Sequence, residues 1–270
     1  MYCNQGFKNL ICGERVYNRY LFYWLRSHVE YLNSLGRGAT FKEISKTIVE
    51  GVQIPLPPLA EQKRIAEELD NICAAKKDAE AIVEKLKLLA KSLFVEMFGD
   101  EESSFAWGDV FEAKTGKLDS NAAVENGKYP FFTCAKAPLY INDYAFEGDA
   151  LLLAGNNAAG VYDVKYYSGR FNAYQRTYVL RLKNPLWSYQ LFKVQLENKL
   201  NLLQHESKGT MTKYLTMGIL SKLQFIVPPV NLQHEFAAFI EQLDKSQFEA
   251  QALIGKLDLL YRAKLQEYFG

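Results

Sequence analysis

Shifted by 171 residues, the chain meets itself. Pro57-Pro58 falls on Pro228-Pro229, Gln62 on Gln233, Ile65-Ala66 on Phe236-Ala237 and Phe98-Gly99 on Phe269-Gly270, without a gap. Lys85-Leu86-x-Leu88-Leu89 falls on Lys256-Leu257-x-Leu259-Leu260, and upstream Leu21, Leu25, Val29 and Leu32 meet Phe192, Leu196, Leu200 and Leu203. Solenoid units repeat every ~20–50 residues, so a period this long marks a duplicated domain pair. Each copy carries a proline-marked junction followed by a long helical pattern.

The first pattern runs from about Ala60 to Phe98 through Ile65, Leu69, Ile72, Ala79, Ile82, Leu86, Leu89, Leu93 and Met97. The second runs from about Asn231 to Phe269 through Phe236, Phe239, Ile240, Leu243, Ala250, Leu253, Leu257, Leu260 and Leu265. Steps of three and four define one apolar stripe on each helix. At ~1.5 Å per residue each helix is roughly 58 Å long. A stripe of that length needs a helical partner, and the economical partner is the other copy.

Between the helices, Phe105 to Val227 reads as a mixed globular domain. Aromatic and β-branched runs at 129–133, 150–153, 164–167 and 177–182 are separated by Gly, Asn and Asp turns, which predicts strands. Helices are expected at 188–203 and 213–222, then a strand at 224–227. The fold class is therefore α+β: a globular mixed α/β domain plus two long paired helices forming a coiled-coil spacer. Only the last third of that domain precedes the first helix, with a strand expected at 7–11, a helix at 16–35 and a loop and helix from Gly36. The expected divisions are 1–58, 59–99, 100–228 and 229–270.

The content is 49% hydrophobic with a net charge of +1, which excludes disordered and collagen-like classes. No apolar run of membrane-spanning length and no signal-peptide pattern is present, so a cytoplasmic location is expected. Cys3, Cys12, Cys73 and Cys134 form no CxxC, and His28, His205 and His234 form no HxxxH; reduced core thiols and no metal or cofactor are expected. Gly155-Asn156-Asn157-Ala158-Ala159-Gly160 has P-loop glycine spacing, but Val161 and Tyr162 stand where Lys and Ser/Thr would hold phosphate and magnesium. Asn184-Pro185-Leu186-Trp187 misses the proline of an adenine-methyltransferase motif and no glycine-rich cofactor turn exists, so no catalytic activity is expected. Asp143, Glu147 and Asp149 are read as solvated carboxylates.

Nucleic-acid contact is the remaining chemistry. From Lys165 to Lys222 ten basic residues face Glu197 and Glu206, the local excess a phosphate-binding face needs. Arg170, Asn172, Tyr174, Gln175 and Arg176 lie in one short stretch read as a loop; Arg matches guanine O6/N7, and Asn or Gln matches adenine N6/N7. Asn156 and Asn157 read as base contacts or as ordinary turn residues. Lys208, Gly209, Thr210, Thr212 and Lys213 suit phosphate contact or a helix cap at Thr212. Lys165, Thr133 and Lys136 complete the candidates.

Ile54-Pro55-Leu56-Pro57-Pro58-Leu59-Ala60-Glu61-Gln62-Lys63-Arg64-Ile65-Ala66 resembles the junction opening each conserved helix in DNA-sequence specificity subunits of Type I restriction-modification enzymes. Val227-Pro228-Pro229-Val230-Asn231-Leu232-Gln233-His234-Glu235-Phe236-Ala237 is a looser version. Cys3 to Leu10 and Asn172 to Leu180 resemble the ends of target recognition domains of that family. The resemblance implies a non-catalytic scaffold with a recognition domain at each end of a paired antiparallel helical spacer. Its partners would be double-stranded DNA, modification subunits that methylate adenine with S-adenosylmethionine, and in some assemblies a restriction subunit. Residues 1–58 are then the remnant of a first target recognition domain. This chain reads either as a piece or rearranged product of a two-headed subunit, or as a half-subunit acting as a homodimer. A helical adaptor that no longer reads DNA is the other alternative.

Overall fold

The computed structural model describes residues 7–36, 43–99, 101, 104–157, 162–209 and 212–270. In chain order the helices are α1 (Asn18–Ser27), α2 (Val29–Ser34), α3 (Lys46–Glu50), α4 (Leu59–Phe98), α5 (Trp107–Val110), α6 (Tyr189–Glu206), α7 (Met217–Leu220) and α8 (Val230–Phe269). The strands are β1 (Phe105–Ala106), β2 (Phe111–Thr115), β3 (Tyr129–Phe132), β4 (Leu139–Ile141), β5 (Phe146–Ala154), β6 (Asn156–Asn157), β7 (Val164–Ala173), β8 (Thr177–Leu182), β9 (Lys213–Tyr214) and β10 (Gln224–Phe225). Two compact units form: residues 1–85 with 247–270, and residues 86–246.

The first unit is helical. Tyr20, Tyr23 and Trp24 of α1 are buried against Ile65, Ala66 and Leu69 of α4 and Phe269 of α8. Lys76 Nζ donates to Asp258 Oδ1 at 2.6 Å, and Tyr268 OH donates to Glu68 Oε2 at 2.5 Å. Numbers fall on α8 as they rise on α4, so the helices run antiparallel here. The expected helix at 16–35 is interrupted at His28. Ser27 Oγ donates to the Trp24 carbonyl at 2.8 Å and His28 Nδ1 approaches the same oxygen at 3.0 Å, the local side-chain bonding that competes with a helical ladder. Residues 7–11 form no strand. The loop expected from Gly36 falls largely on residues outside those described; the helix after it is α3.

The second unit is built on a six-stranded sheet, order β2-β8-β5-β7-β3-β4, antiparallel except between β3 and β7. Successive residues of a strand face opposite sides. Leu151 and Leu153 of β5 therefore join Phe111, Leu180, Phe192 and Phe225 in one core, while Ala150 and Leu152 join Phe132, Phe171 and Val179 in another. A further cluster packs Leu191 and Val194 of α6 against Phe98 of α4 and Phe236 and Ile240 of α8. The Phe98 and Phe236 rings are 5.5 Å apart, so α4 and α8 are antiparallel in this unit too. The helix expected at 213–222 is instead β9 followed by the single turn α7, which opens after Thr216; Thr212 is not its cap.

Both helix stripes needed correction. Ile82 and Leu89 of α4 are exposed, as are Phe239, Leu253 and Leu260 of α8. On α4 the seam passes instead through the smaller neighbours Val83, buried, and Ala90, half-buried, while on α8 the expected Ala250 is buried. On α4, Gln62, Leu69, Lys76, Val83, Ala90 and Met97 form one seven-residue series that is never fully exposed, the strict repeat of a two-helix seam.

Each unit closes on the same joint. Gln233 Oε1 accepts the Ser188 N–H at 3.0 Å, and Nε2 donates to the Pro228 carbonyl at 2.7 Å. Gln62, its repeat equivalent, accepts the Tyr17 N–H at 2.8 Å and donates to the carbonyls of Pro57 at 2.8 Å and Arg15 at 3.0 Å. Tyr17 and Pro57 lie 171 residues before Ser188 and Pro228, so the duplication holds at the level of single hydrogen bonds. Both glutamines are buried.

Candidate nucleic-acid interface

One edge of the second unit is organised by the turn between β7 and β8. Tyr174 N–H donates to Phe132 O at 2.9 Å, Gln175 N–H to Leu118 O at 2.9 Å, and Thr177 N–H to Tyr174 O at 2.8 Å. Gly155 N–H donates to Arg176 O at 2.8 Å. A Cβ on Gly155 would lie 2.3 Å from that oxygen, so the approach requires glycine. Four backbone bonds thus fix the turn, while the side chains of Gln175 and Arg176 stay exposed.

Beside the turn, Ser120, Thr133, Cys134, Ala135, Asn156, Asn157, Tyr174 and Thr212 line an open cleft of about 320 Å³. Asn156 and Asn157 are not turn residues: they form β6 and pair with Tyr214 and Lys213 of β9. Lys208 and Tyr214 exchange two backbone bonds, 3.1 and 2.8 Å, and β9 lies antiparallel along β6. Gly209 has φ +102°, the left-handed region that favours glycine. Asn156 Oδ1 is buried with no donor among the described residues.

The candidates do not all reach this surface. Asn172 is buried, its Nδ2 donating to the Asp143 carbonyl at 3.3 Å and its Oδ1 accepting the Ala173 N–H at 2.9 Å. Its amide is committed to backbone and unavailable to a base edge. Arg170 belongs to β7, not to a loop; it pairs with Glu147 at 3.0 Å and lies over the Tyr144 ring at 4.9 Å. The hydrogen bond to Glu147 raises the Arg170 pKa above its ordinary value. Lys165 pairs with Asp163 at 2.5 Å and donates to Ala135 O at 3.2 Å, tethering the segment that holds Thr133 and Lys136. Thr133 is buried and accepts the Ala135 N–H at 3.2 Å, while Lys136 is exposed. Thr210 lies outside the described residues.

The run of ten basic residues is not one electrostatic face. Arg181 donates to Glu147 O at 2.6 Å, Lys183 to Gly108 O, and Lys193 to Asp244 at 2.9 Å; Lys199 sits over Phe225, its pKa lowered by burial. Arg176, Lys208, Lys213 and Lys222 carry no side-chain partner among the described residues; Arg176 belongs to the turn, and the backbones of Lys213 and Lys208 pair with Asn157 and Tyr214. Glu147 and Asp149 are likewise engaged, by Arg170 and by Tyr166 OH at 2.7 Å.

Three cleft residues escaped the sequence reading. Asp119 accepts the Gln175 amide at 3.0 Å, and Ser120 follows it. Cys134, expected in the core, is half-buried with its Sγ 3.7 Å from Arg176 O; Cys12 and Cys73 are also only half-buried.

A profile of the Type I restriction modification DNA specificity domain matches residues 1–87 and 100–256. The specificity subunit of the type I restriction enzyme EcoDI from Escherichia coli is 35% identical over 153 residues, 56% of this chain and 32% of that protein. The MjaIX specificity subunit of Methanocaldococcus jannaschii is 25% identical over 283 aligned positions, 89% of this chain and 65% of that protein. The chain therefore spans less than two thirds of either curated relative. The crystal structure of the S subunit of a Type I restriction-modification system from M. genitalium superposes with a TM-score of 0.69 at 17% identity, covering 95% of this chain and 73% of that one. The fold is shared.

Proposed function

The chain belongs to the Type I restriction modification DNA specificity domain family, and on that premise we propose that it is a DNA-reading subunit with no catalytic role. Residues 100–228 act as a target recognition domain for one half of a split site, and residues 1–58 correspond to the last part of another. The observation that carries this reading is the Tyr174–Thr177 turn. Its backbone is held by four hydrogen bonds while the side chains of Gln175, which donates to Asp119 at 3.0 Å, and Arg176 stay exposed. Groups held this way lose little freedom on binding. Arg176 and Gln175 read base edges in the major groove; Lys208 and Lys213 hold phosphates. Asn156 and Asn157 stand in the same cleft, where the unsatisfied Asn156 Oδ1 would accept a donor.

The long helices support a second half of the proposal. Ile82, Leu88 and Leu89 of α4 and their repeat equivalents Leu253, Leu259 and Leu260 of α8 are all exposed. The same apolar residues uncovered twice suit two copies of one partner, the modification subunits. A restriction subunit would join through them.

Selection of bound oligonucleotides by the chain in complex with its modification subunits tests the reading. Arg176→Ala should lower discrimination at one base position by about 1–3 kcal/mol, whereas Lys208→Ala should weaken all sequences alike and reduce the salt slope by about 1. Unchanged affinity and selectivity in both variants would remove this surface from the interface. A half-subunit acting as a homodimer would instead give complexes with two copies per site by mass.

A further inference from the structure

Gln175 is gripped twice by one neighbouring segment. Residues 116–119 run beside the end of β7: Leu118 pairs in parallel with Tyr174, and the Leu118 carbonyl accepts the Gln175 N–H at 2.9 Å. Gly116 is buried, and a Cβ there would overlap the Ala173 carbonyl oxygen, so this approach requires glycine. Asp119, the next residue after Leu118, reaches the same glutamine again, its Oδ2 accepting from the Gln175 Nε2 at 3.0 Å. Asp119 is itself placed from behind. Its carbonyl accepts the Ala122 N–H at 3.1 Å, closing a single 3-10 turn over Ser120–Ala122, and Ser120 Oγ donates to its Oδ1 at 3.2 Å. Both Asp119 and Gln175 are exposed, and Gln175 Oε1 has no partner among the described residues.

A carboxylate can only accept, so the amide nitrogen of Gln175 faces Asp119 and its oxygen faces away. We propose that Asp119 is a positioning residue for base choice: by fixing the order of donor and acceptor on Gln175, it makes that side chain select adenine. One Nε2 hydrogen is bound to Asp119; the other donates to adenine N7 while Oε1 accepts from N6. A loose amide turns over by 180° and offers the reverse order, which adenine does not complement. A carboxylate on a surface that meets phosphates lowers affinity for every sequence, so selectivity, not binding strength, explains its presence there. The inference deepens the reading of the turn and rests on Gln175 contacting a base.

Oligonucleotide selection by the chain in complex with its modification subunits, followed by binding titrations on the selected site, provides the test. Gln175→Ala should lower the preference for adenine at one position about tenfold. Asp119→Ala should lower it at that same position by about threefold or more, add no further loss to Gln175→Ala, and raise affinity for unrelated DNA. Asp119→Asn keeps an acceptor for Nε2 without the charge; it should raise non-specific affinity equally and retain the base choice, a rescue that neither misfolding nor loss of charge would produce. The Gln175 N–H, bonded to Leu118 O, should exchange with solvent as slowly in both Asp119 variants as in the parent, since only the side chain is released. If Asp119→Ala leaves selection at the Gln175 position intact, or if Asp119→Asn loses it as fully, Asp119 is no positioning residue even though the turn still reads DNA. A change at a different base position would make Asp119 a direct reader of cytosine and overturn the proposal, as would a base other than adenine at the position that Gln175→Ala alters. Selection untouched by Gln175→Ala would remove the reading by this glutamine and the inference with it.

Discussion

Replacing Gln233 with leucine tests the joint on which each unit closes. Gln233 is fully buried, accepts the Ser188 N–H at 3.0 Å and donates to the Pro228 carbonyl at 2.7 Å. Leucine nearly fills the space, so cavity costs stay small, but both backbone groups lose their partner. A buried polar group left unpaired costs about 1–3 kcal/mol, giving a loss of about 2–6 kcal/mol. Against a typical stability of about 5–15 kcal/mol this is large. Urea unfolding followed by circular dichroism should show the midpoint falling at unchanged slope, and the Ser188 amide should exchange faster with solvent. Gln62→Leu orphans three backbone groups, Tyr17 N–H and the Arg15 and Pro57 carbonyls, but these lie in half-buried or exposed residues that water can reach, so it should cost less per group. A loss under about 1 kcal/mol in both variants would refute the claim that these amides hold the joints.

Further outcomes follow from the same structure. Gly155→Ala places a Cβ 2.3 Å from the Arg176 carbonyl, so it should abolish DNA selectivity by displacing the turn, with far-ultraviolet dichroism unchanged; retained selectivity would show that the turn is not the reading element. Leu89→Lys and Leu260→Lys, both at exposed positions, should leave the melting temperature within a degree or two and each weaken capture of modification subunits, measured by analytical ultracentrifugation. The Glu68 carboxyl is held below its ordinary pKa, first by the hydrogen bond from Tyr268 and then by Lys264. A lowered folded pKa gives stability that is present above the unfolded glutamate range and is lost as pH falls through the folded value. Glu68→Gln should therefore flatten the melting temperature's decline in acid; an unaltered acid limb would assign that decline to other carboxylates.

The long helices were legible almost to the residue, Ala60 against Leu59 and Asn231 against Val230, because proline junctions and a sustained period are local signals. The phase was legible over most of each stripe, but not at Ile82 and Leu89 of α4 or Phe239, Leu253 and Leu260 of α8. Ile82 and Leu89 are larger and more apolar than Val83 and Ala90, yet the smaller residues face the partner helix; close helix approach decides this, and hydropathy does not report it. β8 was read with its observed ends, and Gln175 and Arg176 lie at an accessible turn. Asn172, three residues before Gln175, is buried because alternation of burial ends there and Phe171, Asn172 and Ala173 are all covered. Asp119, Ser120 and Cys134 reach the cleft only through sheet pairings between distant segments, for which the sequence carries no local sign.

The two copies also show which features of the joint can vary. Gln195 of α6 accepts the Ile226 N–H at 3.0 Å and donates to the Ile226 carbonyl at 3.0 Å, a two-point clamp on one residue. At the equivalent places in the first unit stand Trp24 and Pro55. Proline has no N–H, so an amide at position 24 could make only half the clamp and would leave its own oxygen unpaired in a buried site. The indole fills that space as an apolar group, and the Pro55 carbonyl is satisfied by Tyr20 OH at 3.0 Å. Gln62 and Gln233 differ from this pair because the groups they bind, an N–H at the start of a helix and a proline carbonyl, persist in both copies. A buried side chain is thus held constant where its backbone partners are constant, and it is exchanged, together with its neighbour, where one partner changes.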